Sequence, residues 1–184
     1  LAPWNARIAP KAAVIAKARR SFIDEFLPGF LATYEEISGG MEKVGLKLNT
    51  HVSDDAEEIE QRMLDAQDED RRLRRTTVGV HKDDVVFSLG EHPLKRFGSQ
   101  GQQKSFLVAL RLAQLAFIEQ ATGVKPILLL DDIFDKIDEK RVEALMRRVT
   151  NGTFGQVFIT DTHLGRIPSM FAATGADVRV FELR

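Results

Sequence analysis

Cysteine is absent from these 184 residues. That excludes disulfides, thiol catalysis and Cys-based zinc sites, and it fits a cytoplasmic setting. No apolar run approaches the ~18 residues of a membrane span. No signal peptide is visible, so no membrane partner is expected. An excess of charge of one sign is also missing, since 26 Lys and Arg face 27 Asp and Glu. A uniformly basic coat is thereby excluded, and any DNA contact must be a local patch. What remains is ordinary globular composition, 43% hydrophobic and 29% charged, which argues against disorder and collagen. At ~150 residues per domain the chain holds one domain or one and a half. It opens on Leu1 rather than Met, which suggests a piece of a longer chain.

Hydrophobic spacing divides the chain in two. Ile8, Ala12, Ile15, Phe22, Phe26, Phe30, Tyr34 and Ile37 step mostly by three or four, which predicts a long helix. Pro10 and Pro28 each remove a backbone donor, so a break or kink is expected near both. Gly39 and Gly40 end the helix. Val44, Leu46, Leu48, Thr50 and Val52 alternate as a half-buried strand does. Asp54 and Asp55 open a second helix, with acids where the helix dipole prefers them. It runs through Ile59, Met63, Ala66 and Leu73 and ends in Arg71, Arg72, Arg74 and Arg75. From Thr77 the texture changes. Val85, Phe87 and Leu89 predict a strand and Leu94 to Phe97 its return. Gln102 to Thr122 predicts a helix and Ile127 to Asp131 a fully buried parallel strand. A helix over 139–149, a buried strand over 157–160, a short helix over 164–173 and a strand over 178–183 follow. The alternation implies an α/β fold with a parallel sheet.

Four motifs in the second part carry chemistry. Ser99-Gln100-Gly101-Gln102 stands between a strand and a long helix. A helix start offers unpaired N–H groups and a positive dipole end to an anion, and Gly101 permits close approach to the backbone. The alternative is that Ser99 only caps the helix. Ile127 to Asp132 is an apolar strand ending in paired acids, at the edge where open α/β sheets bind ligands. Asp131 can hold Mg²⁺ through oxygen and Asp132 can polarise an attacking water, or both are merely a strand end and a cap. Phe134 to Asp138 follows, with Asp138 the N-cap of the next helix in either case. Ile159 to His163 ends the next strand, and His163 can reach a γ-phosphate there, or is an ordinary polar surface or core residue. His51, His81 and His92 have no such placement.

In that order the motifs resemble the C-terminal half of an ABC-type ATPase head, and within that class the RecF family of recombination mediators related to the SMC proteins. Thr76 to Asp84, TTVGVHKDD, is similar to the family's G-P-H-R-D-D segment. Ser99 to Lys104, SQGQQK, is similar to its S-Q-G-Q-Q-R signature, and Leu128 to Asp132 matches its Walker B strand. The resemblance implies that residues 1–76 are part of a largely helical arm (lobe II) with at least one strand. Residues 77–184 are then the C-terminal part of the head. It implies that Ser99 and Gly101, with Gln100 and Gln102 beside them, meet the γ-phosphate of ATP held by the opposite subunit. Asp131 serves Mg²⁺, Asp132 is the hydrolytic acid, Asp138 is the D-loop residue across the dimer and His163 is the switch histidine. Departures occur at Gly98, where many ABC signatures have Leu, at Val80 and Lys82, where the family has Pro and Arg, and at Asp135 and Ile137, where the D-loop usually has Ser and Leu. No G-x-x-x-x-G-K-[ST] loop, which cradles phosphates, occurs in the chain.

The function implied is that of a DNA-dependent ATPase. It dimerises with ATP, hydrolyses it slowly with Mg²⁺, binds gapped or junctional DNA, partners RecR and helps to load recombinase in repair. Without the phosphate loop this chain alone is expected to be inactive. The competing readings are a non-catalytic interaction module and another head of the class, such as a transporter's. Asp132 at the usual Glu position and the long arm argue against a transporter. Arg71, Arg72, Arg74, Arg75 and Lys82 form the densest basic stretch and are the candidate DNA contact, against the plain alternative of a solvated face.

Overall fold

A computed structural model describes residues 2–131, 133–162, 168, 171 and 177–182. In chain order the elements are α1 (Ala2–Ser38), β1 (Val44–Asn49), α2 (Ala56–Asp65) and α3 (Gln67–Leu73), then a 3₁₀ turn at Val80–Lys82. They continue with β2 (Asp84–Leu89), β3 (His92–Pro93), α4 (Leu94–Phe97), α5 (Gln100–Thr122), β4 (Ile127–Asp131), α6 (Glu139–Thr150) and β5 (Gln156–Thr160). The chain forms an α/β fold of two compact units. One comprises Leu1–Leu27 and Gly45–Ser88, the other Pro28–Val44 and Leu89–Arg184.

In the first unit α1 buries an alanine face. Ala9, Ala12, Ala13 and Ala16 pack with Val52, Ile59 and Met63. The larger Ile8, Ile15 and Phe22, expected on the inner stripe, are exposed instead. Small side chains let neighbouring backbone come close, and Ile59 and Met63, four apart on α2, fill the space above them. Arg20 donates to the Val52 carbonyl at 2.8 and 3.1 Å and pairs with Asp54 at 2.7 Å. Arg19 pairs with half-buried Asp83 at 2.6 Å. β1 and β2 are hydrogen-bonded neighbours.

Two expectations for this region change. The helix through Pro10 is unbroken, and so is its continuation through Pro28. Each proline forfeits one backbone bond, but buried side chains on both sides (Ala9 and Ala12, Phe26 and Phe30) keep the helical path. The second helix, by contrast, is two. Asp55 caps α2 through the Glu57 N–H, and α2 ends at Ala66. Asp68, Glu69 and Asp70 then lie in the first turn of α3. Acids gain from a helix start and lose from like-charged neighbours in mid-helix, so the restart is favoured. α3 buries no residue, and Leu73 is exposed.

In the second unit the core gathers on α5 and α6. Phe106, Val108, Ala109, Leu112 and Ala113 line one face of α5, and Val142, Leu145, Met146 and Val149 one face of α6. Phe30 and Tyr34, on the last turns of α1, pack on Phe106 with ring centroids 4.8 and 5.9 Å away. β4 and β5 pair in parallel, with Leu128 opposite Val157 and Asp131 opposite Thr160. They are not fully buried as expected. Leu128 and Leu130 face inward, while Ile127, Leu129 and Phe158 are 58%, 72% and 53% exposed. Leu94–Phe97 is a helical turn, not a strand, because pairing stops after the two residues of β3 and Leu94 turns into the core. Residues 177–182 are not part of a strand. The helix expected over 164–173 falls almost wholly outside the described residues.

Candidate functional site

The start of α5 is built by a capping box. The Ser99 hydroxyl accepts the Gln102 N–H at 3.2 Å, and the Gln102 side-chain oxygen accepts the Ser99 N–H at 2.8 Å. Two of the donors that a helix start leaves over are thus satisfied reciprocally. The hydroxyl spends a lone pair on this and keeps its own proton, with no acceptor for it among the described residues. Capping and donation to an outside anion are therefore compatible roles for one side chain. Behind the cap, Ser105 is fully buried and donates to the Gly101 carbonyl at 2.8 Å, and Gln103 donates to the Gly98 carbonyl at 2.8 Å.

The turn after β4 lies against this cap. A methyl group at position 101 would come within 2.8 Å of the Lys136 carbonyl oxygen, so only glycine lets the two backbones approach. Lys136 itself has φ +63°, a left-handed conformation that costs a non-glycine residue about 1 kcal/mol or more. The Lys104 ammonium donates to the Asp135 carbonyl at 2.9 Å. Asp138 caps α6 by accepting the Arg141 N–H at 3.1 Å. Ser99, Gly101, Gln102 and Asp138 are thus brought into one neighbourhood.

At its centre is a group that sequence reasoning missed. The Glu42 carboxylate, 15% exposed, accepts Gln102 Nε2 at 2.9 Å, an Arg141 guanidinium N–H at 2.6 Å and the Tyr34 hydroxyl. Arg141 Nε also pairs with Asp138 at 2.9 Å. Burial works to raise the Glu42 carboxyl, but the bonds from Arg141, Tyr34 and Gln102 outweigh it and hold it below the usual carboxylate range. Burial, and then Glu42, push the Tyr34 hydroxyl above its ordinary value. Burial works against the Arg141 charge as well, and Glu42 more than restores it. Glu42 and Arg141 are therefore a charged pair at neutral pH. Nothing in the loop after Gly39-Gly40 signals this, because Glu42 reads there as one more solvated acid.

Asp131 ends β4 as expected, and its carboxylate accepts the hydroxyl of Thr160, its register partner on β5. Asp132 and His163 lie outside the described residues. No group of three or more His, Cys, Asp or Glu residues that could hold a metal is present among the described residues. Arg71, Arg72, Arg74, Arg75 and Lys82 belong to the first unit. Arg71 and Arg72 pair with Asp68 and Glu69 on exposed α3, at 3.3 and 3.7 Å.

No protein-family model matches the chain. Individual relatives do. The DNA replication and repair protein RecF of Flavobacterium johnsoniae is 44% identical over 169 residues, 92% of this chain and 46% of that protein. Over that stretch the chain is similar to about half of a RecF protein. The RecF protein of Bacteroides thetaiotaomicron is 38% identical over 180 residues, 98% of this chain and 48% of its own length. The chain thus spans about half the length of the curated relatives it matches. Among solved structures, the recombination mediator protein RecF-ATPrS in the RecFOR pathway matches with a TM-score of 0.73 at 23% identity, over 89% of this chain and 45% of that one. The RecF-ATP structure of the same pathway matches with a TM-score of 0.71 at 24% identity, over 85% and 44%. The chain shares the fold of these RecF structures.

Proposed function

We propose that this chain supplies the face of a RecF-type ATPase head that meets ATP bound by a second subunit, together with the acids for hydrolysis. The observation that carries the reading is the contact of Gly101 with the Lys136 carbonyl. It joins the capped start of α5 to the turn leading to Asp138, so that both lie where a partner's nucleotide can reach them. In this reading residues 1–76 belong to the arm and residues 77–184 to the head. The Ser99 hydroxyl and the N–H groups beside Gln100 and Gly101 donate to γ-phosphate oxygens. Asp138 reaches across the dimer. Asp132 accepts a proton from the attacking water, and His163 contacts the γ-phosphate and registers its loss. Asp131, with Thr160 beside it, offers the hard oxygen donors that suit Mg²⁺. Held there, a Mg²⁺ ion would supply positive charge to offset that on the transferred phosphoryl group.

The complete protein, in this proposal, binds gapped or junctional DNA, works with RecR in recombinase loading and acts in the cytoplasm during DNA repair. A second reading, an interaction module without catalysis, is favoured for the isolated chain by the lack of a phosphate loop in these residues. The test is nucleotide-driven assembly of the complete protein. Ser99→Arg puts bulk where the partner's phosphate must fit, so ultracentrifugation with a slowly hydrolysed ATP analogue should find monomers while ATP binding to one subunit persists. Asp132→Asn should bind ATP and dimerise but hydrolyse at least about 100-fold more slowly, the scale of a lost general base. Normal dimerisation of Ser99→Arg reduces Ser99 to a helix cap. A normal rate in Asp132→Asn removes the acid from its role.

A further inference from the structure

A continuous relay crosses the second unit. It runs from the Ser99 N–H to Gln102 Oε1, through the Gln102 amide to Glu42, from Glu42 to Arg141, and from Arg141 to Asp138. Every link is between 2.6 and 2.9 Å. One carboxylate serves as the joint, taking donors from α1, α5 and α6 at once. Were Glu42 there only for stability, an apolar side chain of similar volume would serve as well or better, since half-buried ion pairs often gain nothing over good packing. What the carboxylate adds is direction. Its lone pairs set where the Gln102 amide and the Arg141 guanidinium lie, and those two groups are the ones that hold Ser99 and Asp138.

We propose that Glu42 is a positioning residue that locks the start of α5 to the start of α6, so that Ser99, Gly101 and Asp138 present a single pre-set surface to the partner's nucleotide. This rests on the ATP reading above for its purpose, but not for its geometry. Gly101 against Lys136 and Lys104 on the Asp135 carbonyl bring the same two segments into contact. Those contacts fix how near the segments come, while Glu42 fixes the orientation of their polar groups.

The variant is Glu42→Gln in the complete protein, which keeps the size and an acceptor oxygen but loses the charge. Hydrogen exchange tests the geometry without nucleotide. Amides of residues 100–104 and 136–141 should exchange about tenfold faster, together, with β5 unchanged. Arg141→Met, which cuts the relay on the α6 side, should loosen residues 100–104 as well, and it stands in if Glu42→Gln does not fold. Assembly tests the purpose. ATP binding to one subunit should hold, while dimerisation with a slowly hydrolysed analogue weakens about tenfold, the scale of a lost charged hydrogen bond. Unchanged exchange, uniform acceleration across the unit, or loosening of residues 136–141 alone in Arg141→Met overturns the lock. A wild-type protein that fails to dimerise with the analogue sinks the ATP reading, and the exchange result still decides the coupling.

Discussion

A methyl group is all that separates Gly101 from an ordinary helix residue, and there is no room for one. The Lys136 carbonyl oxygen stands 2.8 Å from where it would sit, and a backbone atom cannot swing aside as a flexible side chain can. Gly101→Ala should therefore lose about 1–3 kcal/mol, the cost of overpacking, read as a lower denaturant midpoint at constant slope. From the sequence, glycine at this position points to close approach of a phosphate. The structure adds an internal reason for the same residue. The Ser99 cap was legible because it is local, and the capping box it belongs to spans only the four residues Ser99 to Gln102. Glu42 was not. Its partners Gln102 and Arg141 stand 60 and 99 positions away, and no periodicity or spacing in the sequence reports a meeting at such range.

At the scale of elements, local rules misjudged α1 and succeeded with α5. The helix at α5 has a cap at Ser99 and a left-handed glycine at Gly123, whose N–H bonds to the Glu119 carbonyl at 2.7 Å, so both ends are written in the chain. In α1 the two prolines argue for interruption, and what overrides them is tertiary burial of Ala9, Ala12, Phe26 and Phe30. Gly29, next to Pro28, compounds the local weakness, yet a side chain there would meet nothing within 4 Å. Gly29→Ala should stabilise the protein by about 0.5–1 kcal/mol, the usual gain from replacing mid-helix glycine. A rise in thermal midpoint checks this, and a fall would mean that the helix needs its glycine for a reason other than space. The strands β4 and β5 were legible as parallel and apolar. Their half-exposure was not, because the same apolar run suits a strand covered on one face or on two.

At the scale of the whole molecule, a net charge of −1 leaves a local patch as the only means of holding nucleic acid. Arg71, Arg72, Arg74 and Arg75 are the candidates. Two of them already pair with Asp68 and Glu69, but exposed pairs are weak and exchange readily for phosphate. Replacing all four by Gln in the complete protein should lower the slope of log affinity against log salt by about 0.9 for each phosphate of duplex DNA that is no longer neutralised. Stability should hold, because all four arginines are exposed. An unchanged slope returns these arginines to a solvated face. The open side of β4 and β5 has a practical consequence for whoever prepares this chain alone. Ile127, Leu129 and Phe158 lie exposed on one face of two short parallel strands, an apolar patch of the kind that promotes association. Prepared alone, the chain should self-associate increasingly as its concentration rises, and Leu129→Lys should lessen this.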